Sequence, residues 1–308
     1  MKVKCVLIDC APMHVQLLVP DLLVPRLLPS GTDPGPGIRL KALEILLAKG
    51  RRMEGAAPVS AELWLKTRFG IESAGDAGAA AWSLLGDKIT PGDSTWLRAD
   101  PVHLSVDRDT LMLGDSTLFN VSEAEAEALS AHLNAHFSPD LVFLPAHPRR
   151  WYVRTEKAAS LLCTPLAQAR GRTISAHLPG GVDAVPWHAL MNEIQMALHD
   201  HPVNEARETR GELPVNSIWF WGSGAFQPVS SRPFDHVLSD DPLARGLALA
   251  SGSTAAPLAP DATSLLSAAS DGGQVLVVLD ALRAPAAYGD LPAWEAQTEA
   301  MELSLIHI

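Results

Sequence analysis

His201-Pro-Val-Asn204-Glu-Ala-Arg207-Glu-Thr-Arg-Gly211-Glu-Leu-Pro214-Val-Asn216-Ser-Ile-Trp219-Phe-Trp221-Gly222-Ser-Gly224 is the stretch from which the chain is read outward. Pro202 lacks an N–H and halts the apolar helix before it. The polar run to Pro214 reads as a turn, Ile218 to Trp221 as a short aromatic strand, and Gly222-Ser-Gly224 as its exit. Alternation places Trp219 and Trp221 on one side of that strand and Phe220 on the other. With the backbone released from the helix, His201, Asn204 and Arg207 could line one polar rim. Imidazole donates or accepts, the amide does both, and guanidinium offers a fixed fork suited to carboxylate or phosphate. The structural reading stands beside it: Asn204 and Asn216 brace turns while Trp219 and Trp221 fill the core.

Upstream, the helix ended by Pro202 runs from about Ala184 to Asp200, with Trp187, Leu190, Met191, Ile194 and Leu198 as its apolar face. Ser122-Glu-Ala-Glu125 is a capping-box pattern, and Leu129, Leu133 and Phe137 continue from it at steps of four. Short strands are expected at Thr95–Leu97, Val102–Val106, Leu141–Leu144 and Trp151–Val153, with Asp107-Arg-Asp109 as a turn. Leu40–Leu47, Ala61–Phe69 and Gly75–Leu85 read as helices. Val3–Ile8 and Val275–Leu279 are continuous apolar runs that suit buried strands. Helices alternating with such strands indicate an α/β architecture, with mixed α+β left open.

The composition narrows the function classes. A formal charge of −11 and a pI near 5.4 argue against nucleic acid or an anionic membrane as partner. Three cysteines without framework spacing fit a reducing compartment. No apolar stretch approaches the ~18 residues of a membrane span, and the run after Lys2 and Lys4 breaks at Asp9, so a cytoplasmic protein is expected. Leu303 to Ile308 resembles a translated adapter scar, and a native carboxyl-terminal part is expected to be missing.

Other constellations are weaker. His132 and His136 stand four apart, a spacing that lets two imidazoles share a metal, but Leu133 occupies the place of a metalloprotease glutamate and no third ligand is evident. Arg149-Arg150-Trp151-Tyr152-x-Arg154, after His147, suits an anion pocket or surface ion pairs. Asp9 and Asp280 each end an apolar strand; they could share a cleft or cap the following helices.

From about Trp96 to Gly252 the chain resembles archaeal-type cofactor-independent phosphoglycerate mutases, most specifically over His201 to Gly224, and more loosely at Trp96–Asp100, Asp107–Asp115, Ser122–Phe137, His147–Arg154 and Leu178–Gly181. The resemblance implies a partial alkaline-phosphatase-like sheet with mutase-type substrate-domain elements, two divalent metals and a transiently phosphorylated serine. The family's opening metal motif, Asp-Gly-x-x-Asp, is replaced by Asp9-Cys-Ala-Pro-Met, and neither the later Asp/His clusters nor a nucleophile serine is found. Over nearly the whole chain it is also similar to a bacterial family of RpfE-type regulatory proteins, through Trp96 to Leu104, Glu193 to Met196 and Trp219 to Gly224.

The expectation is therefore a metal-free, catalytically silent relative that requires no cofactor. Its partners would be a small anionic metabolite and an unidentified protein. The ligand-binding set would be Arg98, Arg150, His201, Asn204, Arg207, Asn216, Trp219, Trp221, Gly222 and Gly224. An active mutase with rearranged ligands and a protein-binding scaffold are the alternatives. One unit over 1–302 is expected, in which 1–90 and 240–302 can form an α/β part and 91–239 a mutase-like part, followed by the tail 303–308.

Overall fold

The computed structural model describes residues 13–22, 41–49, 59–72, 75–156, 161–258 and 273–305. The expected strand Val3–Ile8, Asp9, Cys5 and Cys10 lie outside these residues, as does most of the Ala/Ser/Gly-rich stretch after Leu258. The fold is mixed α/β, with two sheets among the described residues.

The first sheet is wholly parallel, in the order β1 (Met13–Leu18), β9 (Gly273–Val278), β7 (His236–Leu238), β8 (Thr254–Ala256). Val275 to Val278 are all buried, as a central parallel strand covered on both faces requires. The second sheet is antiparallel. Its spine is β2 (Thr95–Asp107), which pairs with β6 (Ser217–Ala225) along one edge. On the other edge, β5 (Arg150–Thr155) covers the first part of β2 and β3 (Thr110–Asp115) the last; β4 (Leu141–His147) follows β5. The two strands expected around Asp100-Pro101 are thus one. Pro101 lies in the gap between β5, whose pairing ends at Arg98, and β3, whose pairing starts at Val102, a place open to a residue without an N–H.

One face of this sheet is covered by α4 (Glu123–Phe137) and α6 (Ala184–His199). Leu129 and Leu133 come from α4, and Trp187, Met191, Ile194 and Leu198 from α6; they meet Leu97, Phe143 and Phe220 in one core. Phe220 sits edge-on to Trp187 with ring centroids 5.1 Å apart. Both halves of the capping box form: Ser122 Oγ accepts from the Glu125 N–H, and Glu125 Oε2 accepts from the Ser122 N–H at 2.9 Å. The opposite face carries α3 (Ala79–Gly86), whose Ala80, Ala81 and Leu84 pack on Trp96 and Tyr152.

α3 joins the two sheets because α8 (Pro242–Ala250), which follows β7, lies against it. The crossing leaves no room for side chains. A Cβ on Gly246 would stand 1.7 Å from the Trp82 carbonyl oxygen, and one on Gly86 1.9 Å from that of Pro242.

Pro202 does end α6, but it also begins another helix. His201 is the N-cap and Pro202 the first residue of α7 (Pro202–Thr209), where a missing N–H costs nothing. The expected polar turn is helical, which changes what its side chains face. The remaining helices are α1 (Lys41–Lys49), α2 (Ala61–Arg68), the short α5 (Leu166–Ala169), α9 (Arg283–Tyr288) and α10 (Leu291–Leu305), so Leu303 to Leu305 of the supposed tail continue a helix. No helix among the described residues is long and apolar enough to cross a membrane.

Candidate functional site

The register of the antiparallel sheet builds the first part of the site. Arg98 on β2 is directly opposite Tyr152 on β5 and Trp221 on β6. Its guanidinium consequently lies 5.3 Å from the Tyr152 ring centroid and 5.0 Å from that of Trp221, an arrangement favourable for a desolvated cation. Arg98 donates to Asp100 Oδ1 through Nη2 at 2.6 Å and through Nε at 3.2 Å. The other Asp100 oxygen accepts from Trp221 Nε1 at 2.7 Å. Burial alone would lower the Arg98 pKa, yet Asp100, then Tyr152, raise it well above its ordinary value.

Arg150, next to this stack, makes a two-pronged contact with Asp87, at 2.9 and 3.2 Å, and Tyr152 donates to the same carboxylate at 2.7 Å. Burial pushes the Asp87 carboxyl up, but the bonds and charge from Arg150 leave it below the usual carboxylate range. Arg170, after α5, pairs with Asp115 at the end of β3 at 2.9 Å, and Tyr288 donates to Asp115 at 2.8 Å. Arg149 reaches Asn120 from the β4–β5 hairpin at 3.2 Å.

These groups open onto one polar cleft whose far wall is the carboxyl end of the parallel sheet. Arg98, Arg149, Arg150, Arg170 and Arg283 line it, opposed by Glu62, Asp100, Asp115, Asp240, Asp241 and Asp280. Buried Glu62 Oε2, Arg170 Nε and Arg283 Nε have no hydrogen-bond partner there. Such unpaired atoms are costly unless a bound molecule or water completes them.

Of the sequence-predicted residues, Arg98, Arg150 and Trp221 come together in this cleft. The others stand elsewhere, so the ten residues of the expected ligand-binding set do not line one cleft. Asn204, one helical turn from Arg207, faces inward: its Nδ2 donates to the Leu198 and Val215 carbonyls at 2.8 and 2.9 Å, and its Oδ1 accepts from the Val215 N–H at 2.9 Å. Asn216 does the same for both backbone groups of Leu104. Trp219 Nε1 donates to the Thr164 carbonyl. Arg207, 1% exposed, donates to the Leu213 carbonyl and to Glu125 Oε2 at 3.0 Å and lies 5.7 Å over Phe119. Arg210 holds the other Glu125 oxygen at 2.9 Å.

Gly222 and Gly224 let backbone approach backbone. Gly222 has φ +73° and donates to Asp76, and a Cβ on it would meet the Ala80 nitrogen at 2.9 Å; one on Gly224 would meet the Gly78 Cα at 2.8 Å. His201 Nδ1 accepts from the Val203 N–H at 3.2 Å. Its ring stands 4.8 Å from that of His132, which is 4.5 Å from His136. This third imidazole is invisible in the spacing of the first two. With Nδ1 accepting, a neutral His201 carries its proton on Nε2 and offers no free lone pair to a metal.

Sequence reasoning missed Asp21, Glu62, Asp100, Asp115, Asp241, Arg170 and Arg283. Asp21 was within reach: it follows Val15–Pro20, apolar but for Gln16, as Asp280 follows Val275–Leu279. Asp241 caps α8, accepting from the Leu243 N–H at 2.7 Å, whereas α9, after Asp280, has Leu282 as its N-cap and no side-chain capping bond.

Residues 84–204 match the family model of 2,3-bisphosphoglycerate-independent phosphoglycerate mutase. A Geobacter sulfurreducens protein described as a probable mutase of that kind is 30% identical over 162 residues, 50% of this chain and 41% of its own length. The Methanothrix thermoacetophila mutase is 37% identical over 99 residues, 30% of this chain and 24% of the mutase. The chain spans less than half the length of these relatives. The PH0037 protein from Pyrococcus horikoshii superposes with a TM-score of 0.56 at 14% identity, covering 97% of this chain and 79% of that one, a likeness of fold. The matched stretch is homologous to the cofactor-independent phosphoglycerate mutases.

The side chains of the described residues do not fit the two-ion centre that this relationship implies. Among the described residues, no group of three or more His, Cys, Asp or Glu side chains is placed to hold a metal ion. The Arg283 guanidinium instead donates to Glu62 at 2.7 Å, with the charges of Asp241 and Asp21 adding to the attraction.

Proposed function

We propose that the chain is a regulatory, catalytically silent relative of the cofactor-independent phosphoglycerate mutases that binds a small phosphorylated or carboxylate anion. The observation that supports this most is the cleft with five arginines on its walls, two of which leave a buried Nε unpaired. Guanidinium groups held by neighbouring carboxylates are pre-oriented, so a bidentate anion meets donors that need no reorganisation. Homology to mutases, whose name specifies a phosphorylated three-carbon acid, makes 3-phosphoglycerate the first probe.

Thermal unfolding with 3-phosphoglycerate tests binding, since ligand at 100 times its dissociation constant adds about 2.7 kcal/mol to stability. The expected result is a stabilisation that Arg149→Ala and Arg170→Ala diminish. An assay of 3- to 2-phosphoglycerate conversion with added manganese is expected to show no turnover. Turnover abolished by chelation would establish the active-mutase alternative, and no thermal shift in any of these proteins would favour a protein-binding scaffold.

A further inference from the structure

Three parallel strands bring carboxylates to one corner beyond their carboxyl ends. Asp21 follows β1, Asp241 follows β7 and Asp280 follows β9, while Glu62 enters from the first turn of α2. Left alone these anions repel each other in a partly desolvated site: burial pushes the Asp241 carboxyl up, and Asp280 pushes it further. Arg283, on the first residue of α9, enters this corner. Its Nη2 is 2.7 Å from Glu62 Oε1, and Asp241 and Asp21 add to the attraction. Glu62 is 3% exposed and its second oxygen has no hydrogen-bond partner.

We infer that Arg283 is the resident cation of this corner, its guanidinium offsetting the charges of Glu62, Asp241 and Asp21 so that no divalent ion is accommodated there. The charge of Arg283 is fixed, because guanidinium does not deprotonate in proteins. A divalent ion placed among the same carboxylates would meet that charge at close range, and the strand-end site therefore rejects it. The cleft takes its anion without metal assistance; that clause rests on the anion-binding reading, whereas the exclusion of metal does not.

Manganese uptake by the full chain, followed as loss of the free-ion electron paramagnetic resonance signal, tests the assignment. Wild type and Arg283→Lys are expected to leave manganese free. Arg283→Met, which keeps the apolar stem and removes the charge, is expected to bind one ion at least about a hundredfold more tightly, as removal of a unit charge beside an ion implies. Uptake by wild type at this corner, abolished in Glu62→Gln, would overturn the inference. So would a folded Arg283→Met that takes up none. If Arg283→Met does not fold, the double variant Glu62→Gln/Arg283→Met, which removes one charge of each sign, is expected to recover folding; failure to recover would also overturn it. The anion-binding reading fails separately, through absence of a 3-phosphoglycerate shift in wild type.

Discussion

Trp221 donates its indole N–H to Asp100 Oδ2 at 2.7 Å while its ring covers the Arg98 guanidinium that holds the other oxygen. One side chain therefore both completes a buried carboxylate and shields its counter-charge. Trp221→Phe keeps a ring and removes the donor, leaving Asp100, which is fully buried, one bond short. The expected cost is about 1–3 kcal/mol in urea unfolding. A loss indistinguishable from zero would mean that water replaces the indole.

Arg207 belongs to a structural junction. Arg207→Ala removes bonds to Glu125 and the Leu213 carbonyl, and about 3 kcal/mol of stability should go with them, at the low end for a buried pair because Glu125 is partly exposed. The shift produced by 3-phosphoglycerate should be unchanged. A variant of normal stability that no longer responds to the ligand would return Arg207 to the binding site.

Gly246→Ala places a methyl group 1.7 Å from the Trp82 carbonyl oxygen, so α3 and α8 must separate. Loss of at least about 3 kcal/mol is expected, the upper range for overpacking. A melting temperature within a few degrees of wild type would show that the crossing yields easily.

Asp76 gives a pH signature. Burial pushes its carboxyl from 3.8 up to about 6, against the opposing Gly222 N–H bond and the Lys66 charge. Between those values the folded chain holds more protons than the unfolded one, so stability falls as pH rises through the window. The total is up to about 3 kcal/mol. Asp76→Asn, which keeps an acceptor for Gly222, should lack this slope, and its stability relative to wild type should rise between about pH 4 and 6. Parallel stability curves for the two proteins would refute the assignment.

Elements whose signal is local were legible in the sequence. The capping box at Ser122 and the apolar face from Trp187 to Leu198 need only their own neighbours, and both form as read. Pro202 was read for what it stops; the same missing N–H also suits a helix start, and His201 is a cap only because the chain continues helically. That second helix turned Asn204 and Arg207 inward, a consequence the spacing alone does not carry. Trp219 and Trp221 illustrate the other limit. Their common side follows from alternation, but the pairing of Trp221 with Arg98 depends on strands more than a hundred residues apart and on their register. The corner around Arg283 gathers residues from Asp21 to Asp280, a convergence that the topology of the parallel sheet creates.

Glu125 is the third helical residue after the Ser122 cap and simultaneously receives Arg207 of α7 and Arg210, the residue that caps its end. The start of α4 and the body of α7, far apart in the chain, thereby share a single anion, and neither can fray without releasing the other. Amide hydrogens of these two segments should exchange with solvent as one cooperative unit.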